Sequence, residues 1–143
     1  MDLKEIYTQM ILEQSRNKKN RRNLDDPTYK ELGHNPSCGD EITLEVKVED
    51  GFIKDMSYTG VGCAISQAST SIMIDTLKGK KIEDAIRLSE DFINMVKGEE
   101  ISEESFDELG DSVAFENIKT MPARVKCAVL AWYTLKNLLE KED

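Results

Sequence analysis

DEITLEVKVEDGFIKDMSYTGVGC, residues 40–63, is the stretch that decides the fold. Ile42, Leu44, Val46 and Val48 alternate with Thr43, Glu45 and Lys47, a period of two that gives a strand with one buried face. Asp50-Gly51 then supplies a hairpin turn. A returning strand runs from Phe52 to about Gly60, and its apolar residues change parity between Ile53 and Met56, which predicts a bulge. These residues make a small antiparallel sheet.

Helical patterns flank the hairpin. Upstream, Leu3, Ile6, Tyr7, Met10 and Ile11 recur at spacings of three and four, an amphipathic stripe whose helix ends in the basic run Arg16, Lys18, Lys19, Arg21 and Arg22. From Asn23 to Asp40 turn formers dominate, Asp25-Asp26-Pro27, Gly33, Asn35-Pro36 and Gly39, and the reading is loop with one short strand, Tyr29 to Leu32. Downstream, Ile65, Ala68, Ile72 and Leu77 share one helical face, and Gly79 ends that helix. Residues 81–97 read as one broken helix or two short ones, with Ser89 as an N-cap. A short helix is expected after Ser102. The last helix is the clearest, with Pro122 in its first turn and an apolar stripe of Val125, Ala128, Val129, Trp132, Leu135 and Leu139. On its wheel Cys127 points roughly opposite Val125, near Ala131 and Leu138.

The chain has 143 residues, and a domain of that length buries roughly 68–70% of its unfolded surface, enough for one core without disulfide staples. One domain, 1–143, is therefore expected. The start of the chain, with Asp2 and Glu5, lacks the basic-then-apolar pattern of a secretory leader, and no run approaches the roughly 18 apolar residues of a membrane helix. A cytoplasmic protein with no membrane partner is expected. In that compartment thiols stay reduced, so three cysteines read as thiolates or ligands before bridges. Of the net charge of -9, eight acids and no base lie in residues 99–116, so the rest of the chain is close to neutral. Such a balance repels phosphate backbones and argues against nucleic acid as a partner.

Cys38-Gly39-Asp40 presents a thiol and a carboxylate on a turn, where the glycine lets the backbone bend until both face one point. Cys63 follows the hairpin that returns the chain to its start, and Cys127 falls near the start of the last helix. The positive end of a helix favours thiolate, which is the form that binds metals. Three thiolates and a carboxylate suit a tetrahedral zinc, with Asp40 the hard oxygen on a soft site and the ligand most easily released. Such a set outweighs the charge of a divalent ion, and Arg124 and Lys126 beside Cys127 are placed either to offset the excess or simply to form a solvated helix face. Each cysteine also reads as a small buried hydrophobe, and spacing leaves both readings open. His34, the one histidine, reads as a loop residue, and no histidine-based zinc triad can be assembled. Ser66, Ser69, Thr70 and Ser71 lie on a helix without a partner base and read as close packing.

At Ser37-Cys38-Gly39-Asp40, Gly62-Cys63, Ala64-Ile65-Ser66-Gln67-Ala68-Ser69 and Pro122-Ala123-Arg124-Val125-Lys126-Cys127, the chain resembles the U-type iron-sulfur cluster scaffold family (IscU, SufU and the N-terminal domain of NifU). The likeness is closest to the SufU branch, which carries an extra segment before the last cysteine, here the acidic stretch of about 98–117. Two departures from the IscU branch stand out: Lys126 replaces a histidine, and Met121-Pro122-Ala123-Arg124-Val125 replaces a Leu-Pro-Pro-Val-Lys chaperone motif. The resemblance implies an α+β fold, a three-stranded antiparallel sheet packed against helices, with Cys38, Asp40, Cys63 and Cys127 as metal ligands at one exposed end. It also implies a pyridoxal-phosphate cysteine desulfurase of the SufS kind as partner, with cluster-receiving carrier proteins downstream. Three activities follow as expectations. In the leading one zinc readies the site and Cys38, on its mobile turn, accepts persulfide sulfur. In the second a transient 2Fe-2S cluster is built on the same ligands. In the third, a structural zinc site carries no chemistry. If catalytic, the protein is expected to be a zinc-dependent sulfurtransferase, and otherwise a non-enzymatic scaffold.

Overall fold

A computed structural model describes residues 3–141; Asp2, part of the reading of the N-terminus, lies outside them, and so does the side chain of Leu3. The order is α1 (Leu3–Arg16), β1 (Tyr29–Asn35), β2 (Asp40–Glu49), β3 (Phe52–Val61), α2 (Ala64–Leu77), α3 (Ile82–Val96), α4 (Glu103–Leu109), a 3-10 segment (Gly110–Thr120) and α5 (Pro122–Glu140). The three strands form one antiparallel sheet in the order β1-β2-β3. The expected α+β class and three-stranded sheet are therefore present.

The alternation in β2 does what its period requires, because Ile42, Leu44 and Val46 are fully buried and meet Ile53, Met56 and Tyr58 of β3 on the same face. Asp50 and Gly51 both take positive φ, as a tight hairpin turn demands. The parity change appears as a register shift: Lys47 faces Asp55 and Val48 faces Ile53, which leaves Lys54 without a partner position. That extra residue keeps both Ile53 and Met56 on the core side.

β1 is seven residues long and outruns the expected Tyr29–Leu32. Its extension depends on Gly33, where a Cβ would collide with the Thr134 hydroxyl and Leu130, so the missing side chain is what lets α5 lie directly on the strand. His34 accordingly sits on this strand, half-exposed and 3.7 Å from the Glu41 carboxylate, and not in a loop.

α3 is a single helix, which corrects the expected break at Ser89. Ala85, Leu88, Phe92, Ile93, Met95 and Val96 form one continuous buried stripe, and Ser89 lies fully buried within it. Packing of that stripe outweighs the weak local preference of a serine for a helix start. Ser102 does cap α4, accepting from the Ser105 N–H at 3.1 Å.

α5 is the hub, touching α2, α3, β1, β2 and the 3-10 segment. Both sides of its wheel are covered, so Ala131 and Leu138, on the side of Cys127, are as buried as Trp132 and Leu135. The Trp132 ring stacks on Phe92 with centroids 4.0 Å apart. Its Nε1–H donates to Ser69 Oγ at 2.9 Å, and the Ser69 hydroxyl donates onward to the Ala128 carbonyl. This buried chain bolts α2 to α5 beside Cys127, so one serine of the run read as close packing ties together the helices that follow Cys63 and carry Cys127. Ser69→Ala strands the indole N–H and should cost about 1–3 kcal/mol; urea unfolding of the metal-free reduced protein measures it, and no change in midpoint would contradict the assignment.

Candidate metal centre

Four chain segments meet at one end of the sheet. β1 and β2 pair up to Asn35 opposite Asp40, and the turn between them carries Cys38. Pro36 stops the strand, the Asn35 carboxamide oxygen accepts the Ser37 N–H at 3.2 Å, and the Asn35 carbonyl accepts the Cys38 N–H at 3.3 Å. Gly39 completes the turn at φ +70°, a conformation that strains other residues. Glu41 pairs with Val61, so the end of β3 lies beside the start of β2 and delivers Gly62 and Cys63 to Asp40.

Asp40 is fully buried. Its Oδ1 accepts the Cys63 backbone N–H at 2.8 Å, whereas Oδ2 is buried with no hydrogen-bond partner. An unpaired buried oxygen costs about 1–3 kcal/mol, so the fold tolerates it only for a gain made elsewhere. The gain is evident from the neighbours: a sulfur each from Cys38 and Cys127 and an oxygen of Asp40 all lie within 4.8 Å of one another. Cys127 is 1% exposed and Cys38, on its turn, is half-buried, so solvent reaches the site from the Cys38 side.

The sulfurs of Cys38 and Cys127 are joined to each other, with their Cα atoms 6.9 Å apart. Cysteine count and compartment point to thiolates at these positions, and the same two sulfurs belong to the group that could hold a metal ion. That Cα spacing lies just beyond the roughly 4.4–6.8 Å usual for disulfides. Metal binding requires the reduced pair, since only thiolates ligate.

Cys63 stands outside that three-atom group. It is the N-cap of α2, its Sγ accepting the Ser66 N–H at 3.4 Å. A thiolate has lone pairs to spare, and amide N–H bonds to ligating sulfurs are a common way of orienting them. Arg124 and Lys126 are both exposed on the first turns of α5, and Gly39 serves through its backbone.

Two residues of the site escaped the sequence reading. At Gly62 a Cβ would sit 2.9 Å from Asp40 Oδ1 and 3.3 Å from Ser66 Oγ, so the glycine holds open a space shared by carboxylate and hydroxyl. Ser66 is 1% exposed and its hydroxyl has no partner. Its helical spacing with Ser69 and Thr70 resembles ordinary packing, and only the third dimension sets it beside Asp40. Gln67 secures the loop, its amide donating to the Gly62 carbonyl at 2.8 Å.

An α+β chain in which two sulfurs and a buried carboxylate converge at a sheet end has the make-up of a metal-thiolate protein. Residues 6–137 match the NifU-like N-terminal domain family, and the chain belongs to that family. It is 47% identical to the iron-sulfur cluster assembly scaffold protein IscU of Thermotoga maritima, over 99% of this chain and 97% of that protein. Identity to the zinc-dependent sulfurtransferase SufU of Bacillus subtilis is 38%, over 99% and 95% of the two chains. The crystal structure of an iron-sulfur cluster assembly scaffold protein for the SUF system from Fervidobacterium islandicum superposes with a TM-score of 0.88 at 38% identity, covering 96% of this chain and 99% of that one.

Gly62→Ala tests the shared space. The methyl group pushes on Asp40 Oδ1, and we expect zinc affinity, measured by chelator competition, to fall about 10–100-fold with the circular dichroism unchanged. Unaltered affinity would mean that Asp40 is not a ligand.

Proposed function

We propose that this chain serves iron-sulfur cluster biogenesis as a zinc-binding acceptor of persulfide sulfur from a pyridoxal-phosphate cysteine desulfurase. The observation that carries the reading is the buried Asp40, one of whose carboxylate oxygens lies within 4.8 Å of the sulfurs of Cys38 and Cys127, and whose Oδ2 has no hydrogen-bond partner. Cys63, one hydrogen bond from Asp40, completes a ligand set of Cys38, Asp40, Cys63 and Cys127. The printed activity of the Bacillus subtilis relative, zinc-dependent sulfur transfer, has the same chemistry.

Bound zinc would hold the cysteines as thiolates at neutral pH. Cys38 is the acceptor, because it alone of the two converging sulfurs sits half-exposed on a glycine turn, whereas Cys127 is buried on the hub helix. Its thiolate attacks the terminal sulfur of the desulfurase persulfide. A bond forms between Cys38 Sγ and that sulfur, the donor's S–S bond breaks, and the donor cysteine leaves as thiolate, with the proton kept on the transferred sulfur. Asp40, a hard oxygen among soft sulfurs, is the ligand to yield while this happens. Arg124 and Lys126, exposed on the first turns of the helix that carries Cys127, are the cations that would counter the surplus negative charge of the ligands.

The remaining parts of the proposal follow the family. The acidic stretch of about 98–117, folded as α4 and the 3-10 segment, is the insertion of the SufU branch. Sulfur or cluster passes on to carrier proteins, and the work is done in the cytoplasm; no helix of the described residues is long and apolar enough to cross a membrane. A second reading, a scaffold that assembles a transient 2Fe-2S cluster as cargo, is favoured by the scaffold role printed for the 47% identical Thermotoga protein.

Anaerobic purification of wild type and Asp40→Ala, with metal and acid-labile sulfide measured in each, separates the two. About one zinc per chain without sulfide is expected for the acceptor. Iron with sulfide, better retained in the variant, would instead establish the scaffold, and neither metal in either protein would refute the shared site. Incubated with a cysteine desulfurase and cysteine, the wild type should gain one sulfur by mass and Cys38→Ser none. Normal uptake by that variant would remove Cys38 from its role.

A further inference from the structure

Two buried polar atoms without partners lie at the centre, Asp40 Oδ2 and Ser66 Oγ, and the second belongs to no ligand set. The Ser66 amide is committed to Cys63 Sγ and its carbonyl accepts the Thr70 hydroxyl at 2.8 Å. Its own hydroxyl is sealed from water at 1% exposure and idle. An idle buried hydroxyl carries an uncompensated desolvation cost.

Position gives the hydroxyl an occupation. The point where a Gly62 Cβ would lie is 2.9 Å from Asp40 Oδ1 and 3.3 Å from Ser66 Oγ, so carboxylate and hydroxyl face one another across a gap that the glycine keeps empty. Gly62 has no positive φ, and the gap is therefore what its glycine provides. Asp40 is tethered at Oδ1 by the Cys63 amide, which lets the carboxylate swing about that bond without leaving the pocket. A carboxylate leaving a cation inside a buried site pays a large desolvation cost unless a donor receives it.

We propose that Ser66 is the positioning residue that receives the Asp40 carboxylate when it leaves the metal, its O–H donating to the freed oxygen and so lowering the cost of opening the site. This rests on the zinc reading above and adds a residue to it. In the pose with Oδ2 free for a cation the two groups stand apart, and on release they join. Ser66 then sets how readily the site opens and leaves the thiolate count untouched.

The test is zinc release from fully loaded protein to an excess of a colorimetric chelator, for wild type, Ser66→Ala, Asp40→Ala and the double variant. Removing the receiving donor should slow release about tenfold in the wild-type background and have no effect once Asp40 is alanine. Release unchanged or faster in Ser66→Ala, or slowed equally in both backgrounds, would overturn the proposal. Ser66→Thr keeps the hydroxyl and should release zinc at nearly the wild-type rate; a threonine as slow as alanine would assign the effect to packing, again overturning it. Thiolate-to-cobalt charge-transfer absorption of the cobalt-substituted proteins should be the same in wild type and Ser66→Ala, and a weaker band would show a lost sulfur ligand and count against the proposal. A wild type that takes up no zinc would sink the zinc reading itself, an outcome distinct from zinc-loaded proteins that release alike.

Discussion

The hydrogen bond from the Cys63 amide to the buried Asp40 carboxylate, 2.8 Å long, is the constraint on which the rest of the site depends. It joins the first residue of β2 to the residue that starts α2, so the hairpin closes on itself and the helix leaves in a fixed direction. Because the bond uses one oxygen only, the other stays without a hydrogen-bond partner, in a carboxylate that reaches within 4.8 Å of the sulfurs of Cys38 and Cys127. Charge-assisted bonds of this kind are stronger than neutral ones and hold geometry accordingly. The sheet register, the α2–α5 bolt through Ser69 and Trp132, and the Gly39 turn then each bring one further ligand to that oxygen.

Such an arrangement trades stability for readiness. The fold leaves a carboxylate oxygen and a serine hydroxyl buried without partners within one small region, as it also leaves Glu45 Oε2 and the Ser57 and Ser89 hydroxyls elsewhere. Of the four proposed ligands, one sits half-buried on a turn, and the others are anchored to a strand start, a helix cap and the hub helix. The proposed function, admitting a sulfur donor while keeping a metal, needs that asymmetry. Under the proposed ligand set the hard oxygen would supply the weak point and the thiolates the grip.

Much of this was legible in the residues. The period of two in Ile42, Leu44 and Val46, the parity change at Lys54, the Ser102 cap and the stripe of α5 all report local physics that tertiary packing reinforces. The cysteines and Asp40 were visible as chemistry without purpose at ordinary packing positions. What escaped depends on contacts distant in sequence. Gly33 looks like a strand breaker and instead admits α5, which lengthens β1 and places His34 on a strand. Ser89 looks like a cap and is swallowed by a stripe that continues past it. Ser66 and Gly62 declare themselves only where Asp40 meets them, and the Cys38–Cys127 pairing only where turn and helix converge.

X-ray absorption at the zinc edge of the reduced, zinc-loaded protein tests the central claim most directly, since sulfur and oxygen shells are separated in distance. Three sulfurs at about 2.3 Å and one oxygen at about 2.0–2.2 Å are expected, with the oxygen from Asp40. A shell without three sulfurs, or a zinc surrounded only by light atoms, would contradict the account of Cys38, Asp40, Cys63 and Cys127 as one centre.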